Sequence, residues 1–236
     1  MRKAGVVFRR ELGSYFRSPI AYVVIAAFMA LAGYFFSIAL FATRLAEMSF
    51  TFGNLSVVLL FVAPIITLKA LVDERRSGTD ELLLTAPLSV PAIVVGKFLA
   101  AVGVYVAMLV VSLIFPLILG YLGSPDLGPI FTGYLGLFLL GSALLAAGIF
   151  SSSLTQDPVV AGMIGFAMML LLWSFSWIAG ALPGVWGQIA SALALVDRFD
   201  TFMRGVVDLV DILFYLSYIF VFLFLTVRVV DKRRWS

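Results

Sequence analysis

The chain of 236 residues is 63% hydrophobic and 12% charged, with a mean hydropathy of +1.13, well outside the range of soluble domains. Its formal net charge is +3, and it contains neither cysteine nor histidine. Those absences exclude thiol chemistry, disulfides, imidazole metal sites and any catalytic triad that needs histidine; no basic patch with interleaved aromatics suggests nucleic acid.

Residues 1–17 carry Arg2, Lys3, Arg9, Arg10 and Arg17 against one acid, Glu11, while Phe8, Leu12, Tyr15 and Phe16 fall on one helical face. The pattern predicts an amphipathic helix on the inner membrane surface. The apolar run behind it is too long for a secretory leader and no small-residue cleavage site follows, so the segment is kept in the mature chain. Residues 18–43 are uncharged and supply a first span, given that a tilted helix needs about 20 residues. Arg44 and Glu47 lie in a short loop, and residues 48–68 form a second span ending at Lys69, whose amine can snorkel to the interface. Pro64 predicts a kink in it.

Residues 73–88 break the apolar pattern. Asp73, Glu74, Asp80 and Glu81 crowd together with Arg75 and Arg76, too much charge for hydrocarbon. Ser77 and Thr79 are both N-cap candidates, Asp80 and Glu81 suit the first turn of a helix, and Pro87 stops it after about two turns. Leu82, Leu83 and Leu84 give this short helix an apolar side. A knob that docks in a partner's groove and a capped, solvated loop fit the spacing equally well.

Gly96 and Lys97 mark the membrane entry of a third span over residues 98–121, with Pro116 near its far end, and the Gly/Pro-rich residues 123–129 reverse the chain. The fourth span, 130–150, places Ser142 with Ala146 and Ala143 with Ala147 at four-residue spacing, which predicts close helix contact. A polar link, 151–157, leads to a fifth span over 158–179, whose far end carries Trp173, Ser174, Ser176 and Trp177, an ordinary interfacial aromatic belt. The uncharged run 158–196 is roughly 39 residues, about 58 Å of helix against about 30 Å of hydrocarbon. A single span cannot use that length, so residues 180–211 are read as an outward re-entrant or interfacial segment broken at Pro183 and Gly184. Within it Asp197, Asp200, Arg204, Asp208 and Asp211 recur at helical spacing, predicting an interfacial helix with Asp200–Arg204 and Arg204–Asp208 pairs. The sixth span covers 212–227.

Six spans put both termini on one side. Of the 16 Lys and Arg residues, only Arg44, Arg198 and Arg204 then fall in outward segments, so the positive-inside rule places both ends, and residues 73–88, in the cytoplasm. No acid or base sits in the middle of a predicted span, which disfavours an ion-coupled carrier or channel. An intramembrane enzyme lacks its facing catalytic groups. No GxxxxGK[ST] sequence is present, so any ATP would act through another chain. The Asn54-Leu55-Ser56 acceptor triplet is assigned no role.

The run Glu74, Gly78-Thr79, Glu81-Leu82-Leu83, Pro87 and then Gly96-Lys97 resembles the cytoplasmic loop between the second and third helices of ABC-2-type transporter permeases. The basic N-terminal helix, the six spans, the broken outward segment and the stretch 199–208 with Arg204-Gly205 resemble that family as well. Residues 16–24, FRSPIAYVV, resemble its small gliding-motility-associated branch. The resemblance implies an all-α polytopic membrane protein with one transmembrane domain over 1–236, in the cell inner membrane. It implies a coupling helix within 73–88, with Glu74, Gly78, Thr79, Asp80, Glu81, Leu82 and Leu83 as the ATPase-coupling residues. It further implies a non-enzymatic permease subunit of an exporter, paired with a second permease chain, identical or different, and driven by a cytoplasmic ABC ATPase dimer that holds ATP and Mg. No cofactor is expected on this chain, and membrane lipid is its remaining partner. The outward loops are short, which leaves export of a lipid-linked or hydrophobic substrate and a purely mechanical or scaffolding output both open.

Overall fold

The structure, a computed structural model, describes residues 2–43, 47–68, 70–72 and 89–234. Among them every regular element is an α-helix: α1 (Arg2–Arg17), α2 (Pro19–Thr43), α3 (Ser49–Thr67), α4 (Val90–Ser112), α5 (Ile114–Leu122), α6 (Leu127–Leu154), α7 (Pro158–Ala181), α8 (Val185–Leu193), α9 (Leu195–Met203) and α10 (Leu209–Arg234). Six stretches are long and apolar enough to cross a membrane: α2, α3, α4 with α5, α6, α7 and α10. The fold is an all-α polytopic membrane domain.

Helix starts follow local chemistry. Asp126 Oδ1 accepts from Gly128 N at 3.0 Å to open α6, and Asp157 Oδ1 accepts from Val159 N and Val160 N at 2.7 and 3.2 Å to open α7, with Pro158 in the first turn. Asp208 Oδ1 does the same for Val210 N at 2.9 Å ahead of α10. Each cap satisfies donors that the first helical turn leaves orphaned.

The centre of the bundle is α6. Of its membrane-length core 83% is buried, against 28%, 22% and 17% for α2, α7 and α10 at the periphery. Hydrocarbon offers little drive for apolar helices to associate, so close packing depends on small side chains. A side chain at Gly133 would strike the Phe52 ring, one at Gly141 the Tyr105 ring and one at Gly148 Thr67 Oγ1. Ser142, Ala143, Ala146 and Ala147 are all buried, as their spacing predicts. The pairings Phe52–Gly133 and Thr67–Gly148 make α3 parallel to α6. Tyr105 with Gly141 and Ser112 with Tyr134 make α4 antiparallel to it. A chain that crosses alternately requires this.

Several spans differ from their expected bounds. The third begins at Val90 rather than residue 98, because Pro91 suits a first helical turn, and Lys97 therefore lies two turns inside α4. It breaks at Leu113 into α4 and α5. Pro116 has no N–H for the carbonyl of Ser112, and Tyr134 Oη donates to that carbonyl instead at 2.8 Å. In contrast α3 runs unbroken through Pro64, which packs toward the bare Cα of Gly165. Residues 151–154, expected in a polar link, form the last turn of α6 with Ser151, Ser152 and Ser153 buried.

The segment over 180–211 is broken where expected, with Gly184 at φ 77° between α7 and α8. Its interfacial helix is shorter than the charge spacing suggests. It ends at Met203, and Gly205 at φ 86° turns the chain, a conformation in which glycine carries no steric penalty. Arg204 and Asp208 therefore do not share a helix. Asp208 caps α10, and the ion pair that forms is Arg198 Nη1 to Asp211 Oδ1, 2.8 Å.

Candidate functional site

The expected coupling residues Glu74, Gly78, Thr79, Asp80, Glu81, Leu82 and Leu83 lie outside the described residues. Their flanks are described, and both are anchored in the bundle. On the entry side α3 ends at Thr67, whose Oγ1 donates to the carbonyl of Ala63 at 2.9 Å, and the chain continues through buried Ala70, Leu71 and Val72. Leu71 N donates to Ser152 Oγ at 2.9 Å, wholly inside the protein. From the other side Tyr15 Oη of α1 donates to the carbonyl of Ile66 at 2.8 Å.

Ser152 can accept because of how the end of α6 is built. Ser151 Oγ lies 2.7 Å from the carbonyl of Gly148 and 3.2 Å from that of Ala161 on α7, and Ser153 Oγ donates to the carbonyl of Phe150 at 2.7 Å. Gly165 leaves the space that Ser151 Oγ uses, since a Cβ there would sit 2.8 Å from it. Back-bonding of this kind is how serine is accommodated inside helices. Sequence reasoning missed these serines by assigning them to a link. The signal available was three consecutive serines directly behind a stripe of small residues.

On the exit side Val90 is buried and α4 is held by α1. A Cβ at Gly96 would lie 2.7 Å from Val7 Cβ and 3.0 Å from the carbonyl oxygen of Ala4, and one at Gly103 would lie 2.8 Å from Leu12 Cδ1. The two glycines thus let α1 settle against α4, where Lys97 Nζ comes within 3.4 Å of Glu11 Oε1 and Arg10 Nη2 within 2.7 Å of the same oxygen. Lys97 is 3% exposed. A buried lysine needs such a carboxylate, and the amphipathic helix expected on lipid supplies it. The expectation that Gly96 and Lys97 set the entry of the third span gives way to a packing role for both.

Between α1, the end of α3 and α4 lies a cleft of about 740 Å³, lined by Arg10, Glu11, Ser14, Tyr15, Arg17, Ser18, Ile20, Ile65, Ile66, Leu68, Ala70 and Lys97. Polar side chains come from α1, from Ser18 just after it and from α4, and the apolar floor from α2, α3 and the turn after it.

At the opposite end of the bundle, Arg198 of α9 pairs with Asp211 of α10 and lies 4.1 Å from the centroid of the Phe214 ring. Tyr215 Oη and Tyr218 Oη donate to the carbonyls of Leu195 and Leu193 at 2.6 and 2.9 Å. Thr132 Oγ1 of α6 donates to the carbonyl of Phe202 at 2.6 Å. Burial raises the Asp200 carboxyl above its ordinary value and Asp197 adds to that, while Arg204 pulls it back. Trp177 is exposed and Trp173 half-buried, consistent with an aromatic belt.

Among the described residues no group of three or more potential metal ligands comes together. No curated protein matches the sequence. The family described as ABC-2 family transporter protein matches residues 46–230, from the start of the second span through most of α10. With that match over most of its length and six helices long and apolar enough to cross a membrane, the chain belongs to the ABC-2 transporter family and is a multi-pass membrane permease component.

Proposed function

We propose that the chain is the pathway-forming permease of an ATP-driven exporter, working beside a second permease chain and moved by separate cytoplasmic ATPase subunits that dock on residues 73–88. Both termini then lie in the cytoplasm, and in a bacterium the membrane is the inner one. ATP and Mg are held by the partners. The observation that carries the reading is the mounting of the loop. Its entry segment, residues 70–72, is buried and bonded to Ser152 of α6, while its exit helix is clasped by α1 at Gly96. A loop that only met solvent would have no need of fixed, desolvated ends. One that receives a push would, because rigid anchorage is what turns a local displacement into movement of α3, α4 and α6.

Within the loop, Asp80 and Glu81 would meet basic groups of the ATPase and Leu82 to Leu84 would fill an apolar recess, the helix-in-groove mode. Gly78 would give the turn into the helix and Glu74 its acidic approach. Affinity purification of the tagged protein in mild detergent, with identification of bound chains and an ATPase assay, tests the proposal. A stoichiometric cytoplasmic ATPase is expected, lost in Glu81→Lys, with Gly78→Pro retaining membrane insertion but not coupled transport. A chain that purifies alone, without ATPase in membranes or detergent, would refute it and favour a scaffold.

A further inference from the structure

We infer that the cleft between α1, α3 and α4 binds one anionic amphiphile of the membrane, its phosphate held by α1 and its acyl chain laid along the apolar floor. The inference is independent of the ATPase reading above.

Among the described residues, three cations, Arg10, Arg17 and Lys97, and one carboxylate, Glu11, line the cleft. Glu11 engages Arg10 and Lys97, and Arg17, the exposed last residue of α1, adds a further positive charge at the mouth. Ser14 and Ser18 sit one helical turn apart beside it, presenting hydroxyls suited to phosphate oxygens. Arginine is the side chain whose planar fork matches phosphate best.

The opposite wall is of another kind. Ile65 and Ile20 are 50% and 39% exposed, on helices that cross the membrane, so the floor runs outward into the acyl region. The cleft lies where α3 ends and α4 begins, at the boundary of the hydrocarbon, where head groups reside. A volume of about 740 Å³ falls within the roughly 300–1,000 Å³ usual for ligand sites. A soluble anion would use the cationic side and leave the apolar floor wet, whereas a neutral lipid would leave the arginine unanswered. An anionic phospholipid or lipid-linked phosphate satisfies both walls.

The test uses the full chain reconstituted in vesicles of phosphatidylcholine containing a minor fraction of phosphatidylglycerol. After extraction in mild detergent, retained lipid is counted by native mass spectrometry. Phosphatidylglycerol should be retained in excess over phosphatidylcholine, at one molecule per chain. Arg17→Gln should weaken that retention about tenfold, as expected for removing a charge-assisted contact to phosphate. Arg17→Lys should recover part of it. Arg9→Gln removes an exposed charge of α1 that does not line the cleft, and it should change retention by less than about twofold. Equal losses in Arg17→Gln and Arg9→Gln would mean that the field of α1 and not the cleft attracts lipid, and would overturn the site. Absence of any phosphatidylglycerol excess would overturn it too. Displacement of the lipid by millimolar inorganic phosphate would show a site for free phosphate and overturn the lipid as occupant.

Discussion

Asp211→Ala should destabilise the outer end of the bundle more than any surface substitution there, and a cycle with Arg198 separates the reason. The carboxylate is 9% exposed and the guanidinium 24% exposed, with 2.8 Å between them. Arg198 Nε is buried without a partner among the described residues, and the charge lies against the face of Phe214. Removing one member of a buried pair costs about 3–5 kcal/mol because it strands the other charge. Arg198 keeps partial access to solvent and a ring contact worth about 0.5–2 kcal/mol, so Asp211→Ala should fall below that range, at about 2–3 kcal/mol. Arg198→Met strands the more buried carboxylate and should cost about 3–4 kcal/mol. The double variant Arg198→Met with Asp211→Ala strands nothing and should come within about 1 kcal/mol of the unaltered protein. Mixed-micelle unfolding followed by tryptophan fluorescence reads all four species, with Trp173, Trp177 and Trp186 on this side of the bundle as reporters. The cycle should give a coupling above about 3 kcal/mol; single effects that add to within about 0.5 kcal/mol would refute the pair as an energetic unit.

Gly141→Leu should fail to assemble, since even a Cβ there meets the Tyr105 ring, and overpacking costs about 1–3 kcal/mol before any longer side chain is considered; the yield of monodisperse protein in detergent checks this. Tyr134→Phe removes the donor that answers the Ser112 carbonyl freed by Pro116, and a loss of about 1 kcal/mol is expected in the same unfolding assay. Asp200 has a raised folded value, so protonation favours the folded protein. The stability it contributes is fully present below its unfolded value near 3.8 and lost as pH rises through the folded one. Asp200→Asn should remove this acid-side gain from a stability profile measured upward from pH about 4.

Hydropathy made the spans legible, and aspartate and proline made most of their beginnings legible. Asp157-Pro158 announces a capped helix whatever surrounds it, and Gly184 announces a break. What sequence could not give is which polar groups the assembled helices bury together. Arg198 and Asp211 are thirteen residues apart, outside any helical spacing, and they meet only because Gly205 reverses the chain between α9 and α10. The periodic acids around them instead suggested i,i+4 pairs. Lys97 read as an interfacial lysine because the helix that covers it lies far away in sequence, and its partner Glu11 is visible only once Val7 has been packed on Gly96. The serines at the end of α6 read as a link because polarity is the usual mark of a loop; their hydroxyls are satisfied by carbonyls within the helix and by Leu71 N, which no pattern of residue types records.

The two ends of the molecule are joined by α6. Ser152 holds the turn that leads into residues 73–88, and Thr132, twenty residues earlier and so about 30 Å away along the axis, holds the last turn of α9 through the Phe202 carbonyl. Both bonds are buried. Breaking either without a replacement would leave a desolvated polar group costing about 1–3 kcal/mol. Under the proposed docking of an ATPase on residues 73–88, the first of these bonds would pass a displacement of the loop to α6. The packing of α6 reinforces this. At Gly133, Gly136 and Gly148 the neighbouring side chains occupy the space a Cβ would fill, and interdigitation at that distance resists sliding along the axis. Displacement of α6 as a body would then carry α9 and, through the Arg198–Asp211 pair, the start of α10.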